Sequence, residues 1–194
     1  PEDIQNRQYL FHNAGYCLLS AELTLPVISE AAKIGKKYDA KNILKPAALR
    51  MLPEELIHNI DILVPNRKEA STLCPQCQTI EEQAEYFFHK GIETVIITLG
   101  HEGCYLKTAE TAKYFPAAKF TSIDTTGGAD AFISARAAYL IDGCPMEKAI
   151  QFATYAAGFC VSRQGVVPAL VDRNTLETYI GQREPELLKR IDCD

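Results

Sequence analysis

The sequence predicts an α/β fold, and three observations carry that expectation. Short apolar runs of β character alternate with amphipathic helical stretches. The clearest strand, Thr94-Val95-Ile96-Ile97-Thr98-Leu99, is β-branched and apolar on both faces, as a strand within a parallel sheet is. Just before it, Ile80, Ala84, Phe87 and Phe88 mark one face of a helix that ends at Gly91.

The other elements follow in order. Val27, Ile28, Ala31, Ala32 and Ile34 recur at helical spacing, and the pattern stops at Gly35 to Tyr38. Asn42-Ile43-Leu44 reads as a short strand closed by Pro46. Leu52-Pro53-Glu54-Glu55-Leu56 opens another helix, its proline and acids suited to a first turn. Asp61-Ile62-Leu63-Val64-Pro65 is a second buried strand. Cys104 to Lys107 and Lys113 to Phe115 flank a polar stretch and read as a hairpin. An Ala-rich helix follows Asp130 and runs to about Gly143, and a second spans Pro145 to Val161. Asn174 reads as the N-cap of a last short helix carrying Leu176, Tyr179 and Ile180.

With 194 residues, the chain is the length of one domain, taken here as residues 1–194. Its 20 basic and 25 acidic side chains give a net charge of −5, which argues against a nucleic-acid-coating surface. No apolar run reaches the length of a membrane span, and no secretion signal opens the chain, so a cytoplasmic, membrane-free protein is expected. Seven cysteines, an odd and scattered set, fit the same compartment. Cys74-Pro75-Gln76-Cys77 forms a CxxC. It lacks the second pair that a zinc site wants, and it follows a helix end rather than leading a strand into a helix. It reads as surface-loop thiols. The four histidines show no ligand spacing.

Small residues, hydroxyls and acids are concentrated between Asp124 and Asp130. Thr-Thr-Gly-Gly-Ala at a helix start exposes backbone N–H groups that have no partner within the helix. The helix dipole adds positive potential there, so the turn is an anion cradle that small side chains leave open. Asp130 in the first turn suits a base that takes a proton from a nucleophile attacking a phosphate. The same residues also suit a plain capped helix start with glycines for packing.

Asp124-Thr125-Thr126-Gly127-Gly128-Ala129-Asp130-Ala131-Phe132 resembles the signature of the ribokinase-like (PfkB-type) sugar kinases, D-T-T-G-A-G-D-x-F. Three further segments resemble family motifs in family order: Asn66-Arg67-Lys68-Glu69 (N-x-x-E), Thr98-Leu99-Gly100-His101-Glu102-Gly103 (T-L-G-x-x-G), and the adenine and cation segment from Ala153 to Pro168. The resemblance runs from about Val27 to Ile180. It implies a three-layer α/β/α arrangement whose sheet is mainly parallel with an antiparallel hairpin. It also implies ATP-dependent phosphorylation of a hydroxymethyl group on a small sugar, ribose-type by default, or on a nucleoside. Asp130 would be the base, and Gly127, Gly128 and Ala129 the anion hole. Glu69 with Asn66 would organise Mg²⁺ and the triphosphate. Thr98, Gly100 and Gly103 would line the nucleotide, with Thr154 near adenine. Asp124, Thr126, Cys160, Arg163 and Gly165 would ring a monovalent cation, K⁺, largely through backbone carbonyls.

The sequence departs from the family pattern in several places. Ala129 stands where glycine usually precedes the catalytic aspartate, Lys45-Pro46 replaces Asn-Pro or Asp-Pro, and Ala169 lacks a hydroxyl that some members bring to the cation site. Family members are longer, and the chain is expected to begin about a third of the way in, without the lid and the sugar-gripping segment. Pro1 fits a fragment or processed chain, and the sheet edge left exposed would admit a homodimer. Three readings therefore stand: a kinase, a degenerate nucleotide-binding or regulatory module without turnover, and a redox use of Cys74 and Cys77.

Overall fold

The computed structural model describes residues 1–188, which pack as two compact units, the first from Pro1 to Tyr114 and the second from Phe115 onward. The first unit opens with α1 (Glu2–Gln5) and a 3₁₀ turn, Gln8–Phe11. Then come β1 (Tyr16–Ser20), α2 (Leu25–Lys37), β2 (Lys41–Lys45), α3 (Glu54–Ile57), β3 (Ile62–Leu63), α4 (Arg67–Leu73), α5 (Ile80–His89) and β4 (Thr94–Thr98). A 3₁₀ turn, Gly100–Glu102, leads into β5 (Cys104–Lys107) and β6 (Ala112–Phe115). The sheet order is β1-β2-β3-β4-β5-β6. β1 to β4 are parallel, and β5 turns back antiparallel to β4. The predicted α/β class and the mainly parallel sheet ending in a hairpin are therefore present.

Adjacent residues of β2, β3 and β4 are buried on both sides: Ile43 with Leu44, Ile62 with Leu63, and Val95 through Ile97. This is why these strands are apolar runs without alternation. On one face Leu19, Leu44, Leu63, Val95 and Ile97 pack with Ile28, Ala32, Ala70, Ala84 and Phe87 from the helices. The same hand of crossover after each parallel strand sets those helices along one side of the sheet. β3 pairs over two residues, and the ladder continues through Asp61 N to Asn42 O (3.1 Å) and Val64 N to Leu44 O (2.8 Å). The predicted strand Asp61–Pro65 is thus a short pairing with extended flanks. β1 was not predicted. Its leucines are neither β-branched nor in a clean pattern, and Leu18 is half exposed.

A buried polar network fixes the amino ends of β2 and β3. Asp61 is 1% exposed, and its Oδ1 accepts from Lys36 Nζ (2.5 Å) and Lys41 Nζ (3.2 Å), its Oδ2 from Asn42 N (2.8 Å). The buried Asn42 donates through Nδ2 to Ala32 O (2.8 Å) and Asn59 O (2.7 Å). Gly35 of α2 lies against this amide, and a Cβ there would stand 2.2 Å from Asn42 Oδ1. Gly35→Ala is accordingly expected to destabilise the protein by about 2 kcal/mol. The gain in helix propensity is at most ~1 kcal/mol, against overpacking and two strained hydrogen bonds. Urea denaturation midpoints check this, and an unchanged midpoint would show that Asn42 moves aside without cost.

The second unit holds α6 (Gly128–Ile141), α7 (Met146–Val161), a 3₁₀ turn (Val167–Ala169), α8 (Arg173–Arg183) and α9 (Pro185–Leu188). Between α6 and α7 the chain reverses through Gly143, at φ +78°, and Pro145. The aromatic Phe120 lies against Gly158 and packs with Phe159 and Tyr179, while Tyr139 stacks on Phe152 at 4.1 Å. The N-cap of α8 is Asp172 rather than the predicted Asn174. Its carboxylate accepts from Thr175 N (3.0 Å) and starts the helix one residue before Asn174. Among the described residues no helix is long and apolar enough to cross a membrane.

Candidate active site

In the first unit the sequence-predicted residues gather at the carboxyl ends of parallel strands, where open α/β sheets place their ligands. Asn66 follows β3 and caps α4 in a reciprocal box. Its Oδ1 accepts from Glu69 N (2.9 Å), while Glu69 Oε2 accepts from Asn66 N (2.9 Å). The N-x-x-E spacing is what allows this exchange, because residue N3 of a helix faces back to its cap. Burial raises the Glu69 carboxyl above the ordinary range, and the Asn66 N–H and the Lys45 charge offset part of that.

Thr98 ends β4 beside Asn66, with which it forms a parallel bridge. Its N–H donates to Pro65 O at 2.9 Å. The turn that follows needs its glycines. Gly100 is at φ +62° and Gly103 at φ +107°, ψ −128°, a region essentially closed to residues with a Cβ. Leu99 N to Gly103 O (2.8 Å) and Gly103 N to Gly100 O (3.1 Å) close it, and Arg67 Nη2 to Glu102 Oε1 (2.7 Å) ties it to α4. Asn66, Glu69, Thr98, Gly100 and Gly103 thus form one contiguous edge.

Two further charged groups belong to this edge and were not among the predicted site residues. Lys45 ends β2 with its side chain largely buried, its Nζ 3.7 Å from Glu22 Oε1. It also draws the Glu69 carboxyl down. The signal in the sequence was its replacement of the family's usual polar residue before Pro46. Glu22 carried no signal, because it follows the unpredicted β1.

In the second unit, Gly127 is the N-cap of α6 in a left-handed conformation, φ +80°, and Gly128, Ala129 and Asp130 form the first turn. Ala129 is helical, so its methyl requires no strained backbone. The position that needs positive φ is Gly127. A Cβ on Gly127 would meet Val166 Cγ1 at 3.0 Å and Cys160 Sγ at 3.3 Å, and one on Gly128 would meet Val161 Cγ1 at 2.7 Å. Both glycines therefore also serve packing, as the second local reading anticipated. Gly128 N donates to Thr125 O at 3.3 Å, a long bond that closes the turn.

Asp124 Oδ1 accepts from Thr126 N (2.9 Å), and Thr126 and Gly165 together hold the Asp124 carboxyl below its ordinary range. Ile123 N and Asp124 N both donate to Val161 O, at 2.7 and 3.1 Å, and pin the stretch to the end of α7. Cys160 Sγ donates to Thr126 O at 3.6 Å. Burial raises the Cys160 thiol, and the nearby Asp130 and Asp124 carboxylates raise it further. The structure therefore brings Asp124, Thr126, Gly127, Asp130, Cys160 and Gly165 together. Arg163 joins through its backbone, N to Cys160 O at 3.3 Å, while its guanidinium lies 5.1 Å from the Phe159 ring centre. Thr154 lies about 9 Å before Cys160 along α7 by helix rise, its hydroxyl donating to Gln151 O at 2.8 Å.

The donor chemistry bears on which ions these residues could hold. Among the described residues no group of three or more His, Cys, Asp or Glu is placed to hold a metal, so a closed transition-metal centre is not formed there. Hard oxygen donors are present instead: the ionised Asp124 carboxylate and the adjoining backbone carbonyls in one unit, and the Glu69 carboxylate in the other. These suit alkali and magnesium ions.

Comparison with known proteins gives a consistent result. The family model described as pfkB family carbohydrate kinase matches residues 1–173. A ribokinase of Staphylococcus aureus (strain COL) is 35% identical over 182 residues, 90% of this chain and 60% of that protein. A deoxyribokinase of Salmonella typhi is 28% identical over 189 residues, 95% of this chain and 62% of that protein. Among solved structures, the ribokinase of Thermotoga maritima superposes with a TM-score of 0.83 at 30% identity, over 89% of this chain and 59% of that one. The Arabidopsis thaliana ribokinase, complexed with ribose and ATP, gives a TM-score of 0.83 at 29% identity, over 95% and 59%. The chain spans about 60% of the length of these relatives.

Proposed function

Because the chain belongs to the pfkB family of carbohydrate kinases, we propose that it carries the nucleotide-binding and catalytic part of an ATP-dependent kinase. Its acceptor is a hydroxymethyl group on a small sugar of the ribose type. The observation that carries this reading is the opening of α6. There a left-handed Gly127 cap, first-turn N–H groups without an intrahelical acceptor, and the Asp130 carboxylate occupy one turn. The ribokinase and deoxyribokinase relatives support a pentose as acceptor.

In this mechanism Asp130 takes the proton of the attacking hydroxyl as the hydroxyl oxygen meets the γ-phosphorus of ATP. The amides of Gly127, Gly128 and Ala129 stabilise the charge that gathers on the phosphoryl oxygens in flight. Thr98, Gly100 and Gly103 bind along the nucleotide, and Thr154 packs near adenine. Asn66 and the Glu69 oxygen not engaged in the cap would hold Mg²⁺ through its waters, and the ion supplies neutralisation of triphosphate charge. Asp124, Thr126, Cys160, Arg163 and Gly165 would ring K⁺ and so fix the shape of the anion hole.

Calorimetric titration with Mg-ATP in K⁺ buffer tests the nucleotide part, with micromolar to low-millimolar affinity expected. Transfer to ribose, read as ADP release, tests the reaction. No binding by demonstrably folded protein, or binding without transfer in the full-length polypeptide, would favour the module without turnover. A separate expectation concerns the cation: transfer is faster in K⁺ than in a bulky organic cation at equal ionic strength. Equal rates would remove the K⁺ ring from the mechanism.

A further inference from the structure

The CxxC of the first unit has no part in phosphoryl transfer. Cys74 is the C-cap of α4, and the chain turns through Pro75 and Gln76 to Cys77, closed by Cys77 N to Cys74 O at 3.1 Å. Within this turn the Cys74 thiol points at Cys77, with the two Sγ atoms 2.7 Å apart. That is well inside the usual separation of unbonded sulfurs and about 0.7 Å beyond disulfide bonding distance. Closing the gap asks only for a small side-chain rotation.

The two thiols are not equivalent. Cys74 is fully buried, contrary to the expectation of two surface thiols, whereas Cys77 is partly exposed between exposed Gln76 and Gln78. Burial, together with the hydrogen bond to Cys77, pushes the Cys74 thiol up to about 12, which makes Cys74 the poorer choice for the entry sulfur. Gln83 of α5 steadies the turn, its Nε2 donating to Cys77 O (3.3 Å) and Ser71 Oγ (3.1 Å). No third metal-ligating side chain joins the pair among the described residues, which leaves thiol–disulfide chemistry as its use.

We propose that Cys74 and Cys77 are a reversible dithiol–disulfide pair, oxidised by low-molecular-weight disulfides of the glutathione class, with Cys77 as the entry sulfur and Cys74 as the resolving one. Cys77 thiolate attacks one sulfur of the oxidised glutathione, expels glutathione thiolate and forms a mixed disulfide. Cys74 sulfur then attacks Cys77 Sγ and expels the second glutathione, which takes up the Cys74 proton. Two protein thiols are oxidised by two electrons, and one glutathione disulfide is reduced to two thiols. The bond tethers the last turn of α4 to the loop entering α5. The other cysteines are less suited. Cys104, Cys144 and Cys160 are buried, burial pushes the half-buried Cys17 up to about 11, and Cys193 lies outside the described residues.

The test is peptide mass after equilibration with oxidised glutathione near pH 8, with remaining thiols alkylated under denaturing conditions. Trypsin releases residues 69–90 as one peptide that carries Cys74 and Cys77 and no other cysteine. In the wild type this peptide is expected two hydrogens lighter than its reduced form, unalkylated and without glutathione, and dithiothreitol restores it. Cys74→Ser is expected to leave a glutathione adduct on Cys77, and Cys77→Ser to leave a glutathione-free peptide whose Cys74 is alkylated. Against the same glutathione buffer, the internal disulfide is expected to be several-fold more stable in native protein than in urea. A wild-type peptide that retains glutathione, one with both thiols alkylated, or equal stability in urea would each overturn the proposal.

Discussion

Asp130→Asn is expected to lower phosphoryl transfer to ribose by at least ~10²-fold while leaving the affinity for Mg-ATP within a few-fold. Asparagine keeps the size and the hydrogen-bonding reach of the side chain but cannot accept a proton at neutral pH. The loss should therefore fall on kcat, with little effect on nucleotide binding. The position supports that separation, because Asp130 is an exposed residue in the first turn of α6. Steady-state rates and calorimetry on the same preparation check it. A loss below about 10²-fold, the low end for a positioned base, would count against Asp130 as the base and would strengthen the reading of this stretch as a packed helix start. A parallel loss of ATP affinity would mean that the substitution disturbs the turn itself.

The second large effect concerns stability. Asp61→Asn is expected to cost about 3 kcal/mol at neutral pH, near the low end for breaking a buried ion pair, because Lys36 and Lys41 both reach solvent. Burial alone would raise the Asp61 carboxyl, but hydrogen bonds from Lys36, the Asn42 N–H and Lys41 outweigh it and hold the group below its ordinary value. A depressed folded pKa contributes stability above the unfolded value of about 3.9, and that stability disappears as pH falls through the lower folded value. The gap between wild type and Asp61→Asn should therefore stay level from neutrality to about pH 4 and narrow below it. Urea denaturation at several pH values reads this directly. A gap that widens on acidification would contradict the assignment of Asp61 as the charge-bearing partner.

The sequence marked the scaffold and the candidate site by different signals. Asn66, Glu69, Thr98, Gly100 and Gly103 were identified through resemblance to the family's N-x-x-E and T-L-G-x-x-G segments, and in the structure Asn66 and Glu69 form a capping box while Gly100 and Gly103 take positive φ. β2 to β4 were legible because burial on both faces leaves an uninterrupted apolar run. β1 was not, since a strand with half-exposed Leu18 has no such signature. Asn174 read as the cap of α8, but Asp172, two residues earlier, is also a good capping residue, and the observed Thr175 N contact places the cap there. Ala129 read as a departure from the family pattern, but the structure moves the conformational demand to Gly127. The Asp61 network escaped notice because its members come from α2, β2 and the entry to β3, and nothing local marks their meeting.

The order of the sheet has a kinetic corollary. Each strand lies beside the one that precedes it in the chain, so no pairing waits for a distant segment to be made. Topologies with short average separation between contacting residues reach their transition states sooner, because less loop entropy is lost before contacts compensate it. On the ribosome, every strand of the first unit after β1 therefore emerges with its template already in place, and the sheet can lengthen one strand at a time in the order of synthesis.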